Sequence, residues 1–235
     1  MLAACVWLIY VCDRIADALR LPSPLLTRER HWFHGRHKWK LALSGGAVFA
    51  LALNWSLHNF DTVVLRSGLG LTSMVVVYLV LVQLGWLKPV WKEAVVGVLF
   101  AAGTSLPVWT RGAGADAELV LGTGCFAVLC WINCVAIEYW ETHRSTTSAG
   151  EESRLLQLVG RRLPIAAAIL GVASLAVWSA IPRHGFGEIF GACVLSCAAL
   201  AALDGYRNSF STARLRILAD VALLTPLLFL RGFPR

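Results

Sequence analysis

Charge is what this sequence has least of. Asp, Glu, Lys and Arg make up 15% of its 235 residues, apolar types 57%, and the mean hydropathy is +0.66. A soluble domain carries roughly 25% charged residues, so a water-soluble globule of this size is excluded and a polytopic membrane protein is expected. The seven cysteines, at 5, 12, 125, 130, 134, 193 and 197, include no CxxC pair or Cys/His knuckle, which excludes the common zinc modules. Cys130 with Cys134 and Cys193 with Cys197 have the i, i+4 spacing of small residues packed between helices. The pattern of a secretory leader is missing too, because the chain opens at Met1 on an apolar run with no basic flank and no small-residue cleavage site. No inverted repeat or matched pair of broken helices is evident, which counts against a transporter.

What is there is a series of apolar runs near the roughly 20 residues that cross a hydrocarbon core. They are Met1 to Cys12, Trp39 to Leu57, Leu69 to Leu87, Ala94 to Trp109, Ala117 to Ile137, Leu163 to Ile181, Ile189 to Leu203 and Ile217 to Leu230, eight spans in all. The first is too short to cross alone and is expected to be a helix entered partway, in a chain lacking one helix that its relatives possess. Sixteen of the 21 Lys and Arg residues fall in alternate connections, within 14–40, 88–92, 144–162 and 207–216; Arg66, Arg111, Arg183, Arg231 and Arg235 make up the rest. The positive-inside rule assigns the richer set to the cytoplasm. The net charge of +7 then marks topology and contact with anionic lipid, and nucleic acid is not an expected partner. Tryptophans 39, 55, 86, 91, 109, 140 and 178 fall near the ends of the runs, where the ring anchors at headgroup level. The longest connections, 13–38 and 138–162, are both cytoplasmic on this reading, against short outer ones at 58–68, 110–116 and 182–188. Glu151, Glu152 and the Ser/Thr-rich 145–150 read as a mobile loop or lid.

Polar groups that could carry chemistry gather on the cytoplasmic side. In YVCDRIADALR, Asp13 and Asp17 stand four residues apart where an apolar run ends, with Arg14 and Arg20 nearby; on a helix they share a face. In NCVAIEYWETH, Glu138 and Glu141 stand three apart at the same boundary, with Asn133 about a turn deeper and His143 just beyond. Two such carboxylate clusters can hold Mg²⁺ between themselves and a diphosphate, since hard oxygen ligands suit an octahedral ion. The plainer alternative is that each carboxylate pairs with a neighbouring Arg. Lys88 and Lys92, one turn apart, either neutralise a phosphate as point charges or flank a span. Asp204 with Arg207, and Arg216 with Asp220, have the spacing of local pairs. Asp220 falls about one turn into the last run, where an ionisable group can be functional, and Pro226 is expected to kink that helix. His31, His34 and His37 recur in a basic stretch, but six histidines are too few for the histidine boxes of a membrane di-iron oxidase, and the segment reads as amphipathic and interfacial.

These residues together resemble the UbiA-type membrane prenyltransferases. DRIAD matches the DxxxD half of that family's first motif, NDxxDxxxD, giving Asp13 and Asp17, while Ile9 and Tyr10 stand where the family pattern has Asn and Asp. Glu138 and Glu141 stand in place of the second motif, a DxxxD pair. KEAVVGVLFAAGTSLP resembles the segment opening the family's fifth helix, so Lys92 would approach the diphosphate. The resemblance covers nearly the whole chain in topology. It implies a single all-α transmembrane domain over residues 1–235, with about eight helices, in the plasma membrane. It also implies Mg²⁺ held by Asp13, Asp17, Glu138 and Glu141, and a prenyl diphosphate contacted by Lys88, Lys92 and Arg20. The isoprenoid chain would then pass to a small acceptor, aromatic or otherwise. The competing expectation is a non-catalytic membrane protein that keeps the fold and binds an isoprenoid lipid, a quinone or a protein.

Overall fold

The structure is a computed structural model. It describes residues 4–5, 7–9, 11–12, 29–87, 89–110, 116–144, 151–181 and 187–232, with backbone alone for 29–38, 89–90, 143–144, 151–155 and 229–232. All regular structure among the described residues is helical: α1 (Glu29–Asn59), α2 (Thr62–Gln83), α3 (Pro89–Thr110), α4 (Ala117–Arg144), α5 (Glu151–Arg161), α6 (Leu163–Ala180), α7 (Glu188–Gly205) and α8 (Thr212–Ala222). Two 3₁₀ segments follow α7 and α8, at Arg207–Ser209 and Thr225–Gly232. Among the described residues, six stretches are long and apolar enough to cross a membrane: Trp39–Asn59, Thr62–Gln83, Trp91–Thr110, Ala117–Thr142, Leu163–Ala180 and Glu188–Gly205. With no water to satisfy backbone groups in lipid, an apolar run of this length must close its hydrogen bonds within itself.

The expected spans and the helices differ in three places, each for a local reason. The connection expected at 58–68 shrinks to Phe60 and Asp61, because α2 begins at Thr62 and carries Arg66, Gly68 and Gly70 within its first turns. The last run, expected as one span from Ile217 to Leu230, is an 11-residue α-helix followed by 3₁₀ turns. Pro226 has no amide hydrogen to continue an α-helix, and the chain tightens around it. Glu151 and Glu152, expected in a mobile loop, open α5; residues 145–150 lie outside the described set.

The chain divides into two compact units, Met1–Trp86 and Leu87–Arg235. In the first, α1 turns into α2 over two residues, with the Phe60 ring edge-on to Trp55 at 5.4 Å. Gly45 of α1 lets Leu8 and Val11 approach, both 3.9 Å from where its Cβ would stand.

In the second unit α4 is central, packing against α3, α5, α6, α7 and α8. Its 28 residues span about 42 Å, more than the roughly 30 Å of a hydrocarbon core, so its polar C-terminal turns extend past the apolar layer. Gly97 brings α3 against the backbone of α4 at Ala127 and Trp131. The core runs from Leu129, Ile132 and Val135 through Ala167 and Leu170 to Cys193, Cys197, Leu200 and Leu215. The cysteines of the two i, i+4 pairs thus serve helix packing: Cys193 and Cys197 are in the core, and Cys130 is 2% exposed. Ser196 of α7 donates to the carbonyl of Ala222 at 2.7 Å, and Thr225 donates to Ala192 at 2.9 Å, which fastens the final 3₁₀ segment to α7.

Candidate functional site

One end of the second unit collects the ionic groups. Because α3 and α4 run antiparallel, the start of α3 meets the end of α4. Gly122 near Ile189 at one level, and Trp140 bonded to Asp204 at the other, show α4 and α7 running parallel. The α5–α6 junction and the start of α8 close the same end. Lys92, Arg161, Arg162, Arg207, Arg214 and Arg216 share it, whereas Asp116, Glu118 and Glu188 stand at the other end.

Asp204 lies at this end and is 7% exposed. It accepts from the indole nitrogen of Trp140 at 2.9 Å and from Nη1 of Arg207 at 3.1 Å and 3.3 Å to its two oxygens. The Arg207 guanidinium also lies over the Tyr139 ring, 5.7 Å from its centroid, a cation–π distance. Gly160 of α5 packs on that ring so closely that a Cβ would overlap it. Glu141, its side chain 10% exposed, is paired with Arg216 of α8 at 3.6 Å. Farther along α4, Asn133 is 3% exposed, with its Oδ1 buried and without a hydrogen-bond partner. Glu93 of α3 stands near Cys134 of α4. The start of α8 is set by Ser211, whose hydroxyl caps the helix by accepting from the Arg214 amide at 3.4 Å.

The sequence-predicted site residues divide into two groups. Asp13, Asp17, Arg20 and Lys88 lie outside the described residues. Lys92, Glu138 and Glu141 are all half-buried and lie at the ionic end, Lys92 on the first turn of α3 and the glutamates on the last turns of α4. The Asp204–Arg207 pair is the local one that the spacing indicates. Arg216 has the Glu141 carboxylate of another helix as its ion-pair partner, in addition to the local charge of Asp220. Trp140 is not a headgroup anchor: it is 2% exposed and spends its N–H on Asp204, whereas Trp39, Trp86 and Trp91 are well exposed. Glu93 and the α4–α8 pairing escaped the sequence reading. A carboxylate one residue after Lys92 was the available signal for the first; nothing local signals a pair 75 residues apart.

Glu138 and Glu141 come from one helix, and Glu141 is already neutralised by Arg216. No group of three or more His, Cys, Asp or Glu among the described residues is arranged to hold a metal ion. The described residues by themselves do not make an Mg²⁺ site.

Six helices of membrane-crossing length among the described residues, all of whose regular structure is helical, define the class: a helical integral membrane protein. No known family model, characterised protein or solved structure matches the chain.

Proposed function

We propose that the chain is a UbiA-like intramembrane prenyltransferase, taking the isoprenoid chain of a prenyl diphosphate to a small acceptor. The supporting observation is the gathering of Lys92, Glu138, Glu141, Arg161, Arg207 and Arg216 at one end of a helical unit whose spans are apolar. A substrate with a multiply charged head and a hydrocarbon tail needs that juxtaposition. In this reading Lys92, with Lys88 and Arg20, binds the diphosphate as point charges, and apolar faces of the helices receive the tail. Glu138 and Glu141 would need Asp13 and Asp17 to complete a magnesium-binding set, and the ion would offset charge building on the leaving diphosphate.

A second reading is a non-catalytic protein of the same build that binds an isoprenoid lipid, a quinone or another protein. The Glu141–Arg216 ion pair favours it, because that carboxylate then joins two helices instead of serving a ligand. Radiolabelled farnesyl diphosphate and purified protein in nanodiscs separate the two. The enzyme reading requires Mg²⁺-dependent binding and diphosphate release, both abolished by Asp13→Ala and by Glu138→Ala. Binding that ignores magnesium and both substitutions, or no binding, refutes it.

A further inference from the structure

We infer that the α5–α6 junction binds an anionic phospholipid of the surrounding bilayer, with Arg161 and Arg162 on its phosphate and the exposed side of α6 along its acyl chains. The site does not depend on the prenyl-transfer reading. α5 packs on α3 and α4, whereas α6 packs on α4 and α7, so α5 crosses the end of the unit before the chain turns into a span. The turn is local. The Arg162 amide donates to the carbonyl of Val159 at 3.0 Å and the Ala166 amide to that of Arg162 at 2.9 Å, while Pro164 has no amide to offer Gly160. Both arginines therefore stand where the membrane-crossing stretch Leu163–Ala180 begins, at the level of headgroup phosphates.

Burial divides the junction into two sides. Leu156, Gly160, Leu163, Ala167 and Leu170 recur at helical spacing and are buried against the unit. Gly160 among them presses on the Tyr139 ring. On the opposite side Leu158, Ile165, Ile169 and Val172 are exposed at 58%, 58%, 67% and 68%. Positions 158, 161, 162, 165, 169 and 172 fall on one helical stripe. Arg161 and Arg162, both exposed, thus flank an apolar track at its headgroup end.

Charge decides what lies on that track. Two acids of this end are already paired, Asp204 with Arg207 at 3.1 Å and Glu141 with Arg216 at 3.6 Å. Glu151 and Glu152 open α5, about 15 Å from Arg161 along the helix. Glu138, half-buried on α4, is one charge against two. Neither Arg161 nor Arg162 forms an ion pair with a described residue. Adjacent guanidiniums beside lipid suit a phosphate, whose oxygens take arginine N–H donors two at a time. A zwitterionic headgroup brings its own cation to the same place, so a net-anionic headgroup is preferred.

The test uses the full chain in dodecyl maltoside, followed by native mass spectrometry with an equimolar mixture of phosphatidylglycerol and phosphatidylcholine of matched acyl chains. The wild type is expected to retain phosphatidylglycerol preferentially. Arg161→Gln/Arg162→Gln should cut that preference about thirtyfold, since each surface arginine contributes roughly fivefold. Arg66→Gln/Arg214→Gln removes the same charge from exposed positions of α2 and α8 and should leave the preference nearly unchanged. All four positions are exposed, so both variants should keep the wild-type circular dichroism. Equal retention of the two lipids by the wild type, or an equal loss in both double variants, would overturn the site. So would displacement of the lipid by glycerol 3-phosphate, which would mean that the arginines hold a free phosphate compound.

Discussion

Replacing Gly97 with Ala should separate α3 from α4, and the structure gives the size of the effect. The new methyl carbon would stand 2.8 Å from the backbone nitrogen of Trp131, 2.9 Å from the carbonyl oxygen of Ala127 and 3.1 Å from the Trp131 Cα. These are main-chain atoms, so no rotamer change can relieve them. The helices must part by roughly 0.5–1 Å to regain ordinary contact distances. Overpacking of this kind costs about 1–3 kcal/mol, and Ala returns up to about 1 kcal/mol through its better helix propensity. Two rigid main-chain atoms under 3.0 Å place this site in the upper part of the overpacking range, about 2–3 kcal/mol, so the net loss is about 1–2 kcal/mol, or a fall of about 2–8 °C in Tm for a chain of this size. Gly124→Ala is the control, since that glycine is exposed and nothing lies within 4 Å of its would-be Cβ; it should hold Tm steady or raise it. Thermal unfolding of both variants in nanodiscs, followed by far-ultraviolet circular dichroism, decides the matter. If Gly97→Ala behaves like Gly124→Ala, α3 does not press on the α4 backbone and the register that brings Glu93 to Cys134 is wrong.

Gly160→Ala should unseat α5, because its methyl would overlap the buried Tyr139 ring. A loss of about 1–3 kcal/mol is expected, measured as a lower Tm; with Tyr139 already replaced by Ala the same glycine substitution should cost less, and an undiminished cost would contradict the contact. Trp140→Phe leaves Asp204 with Arg207 alone, and a lost partner to a buried charged group costs about 1–3 kcal/mol. In a double-mutant cycle Asp204→Leu should cost less once Trp140 is Phe than it does in the wild type; strict additivity would show that the indole and the carboxylate do not interact.

The helical, membrane-crossing character was legible because it needs only length and apolar composition, as in Leu163–Ala180 and Glu188–Gly205. The boundaries were less so. Arg66, Gly68 and Gly70 look like a connection, yet a 22-residue helix absorbs them. Pro226 was recognised as an obstacle, though it ends the α-helical geometry of the last segment where a kink was expected. The site was legible in parts. The position of Glu138 and Glu141 at a helix end follows from where the apolar run stops. The partners of Glu141 and Trp140 do not, because Arg216 and Asp204 arrive from α8 and from the end of α7. Local spacing can propose Arg216 with Asp220, but only packing of α8 on α4 brings in the second acid. Asp13 and Asp17, on which the enzymatic reading depends most, lie outside the described residues.

Tyr139 has one further implication. Its ring is pressed by the glycine of the short amphipathic helix and covered by the Arg207 guanidinium, which in turn grips Asp204. Lifting that helix would free the ring, slacken the arginine and loosen the knot that ties α7 to its neighbour. A disturbance arising outside the bilayer could thereby travel inward without any spanning segment having to slide.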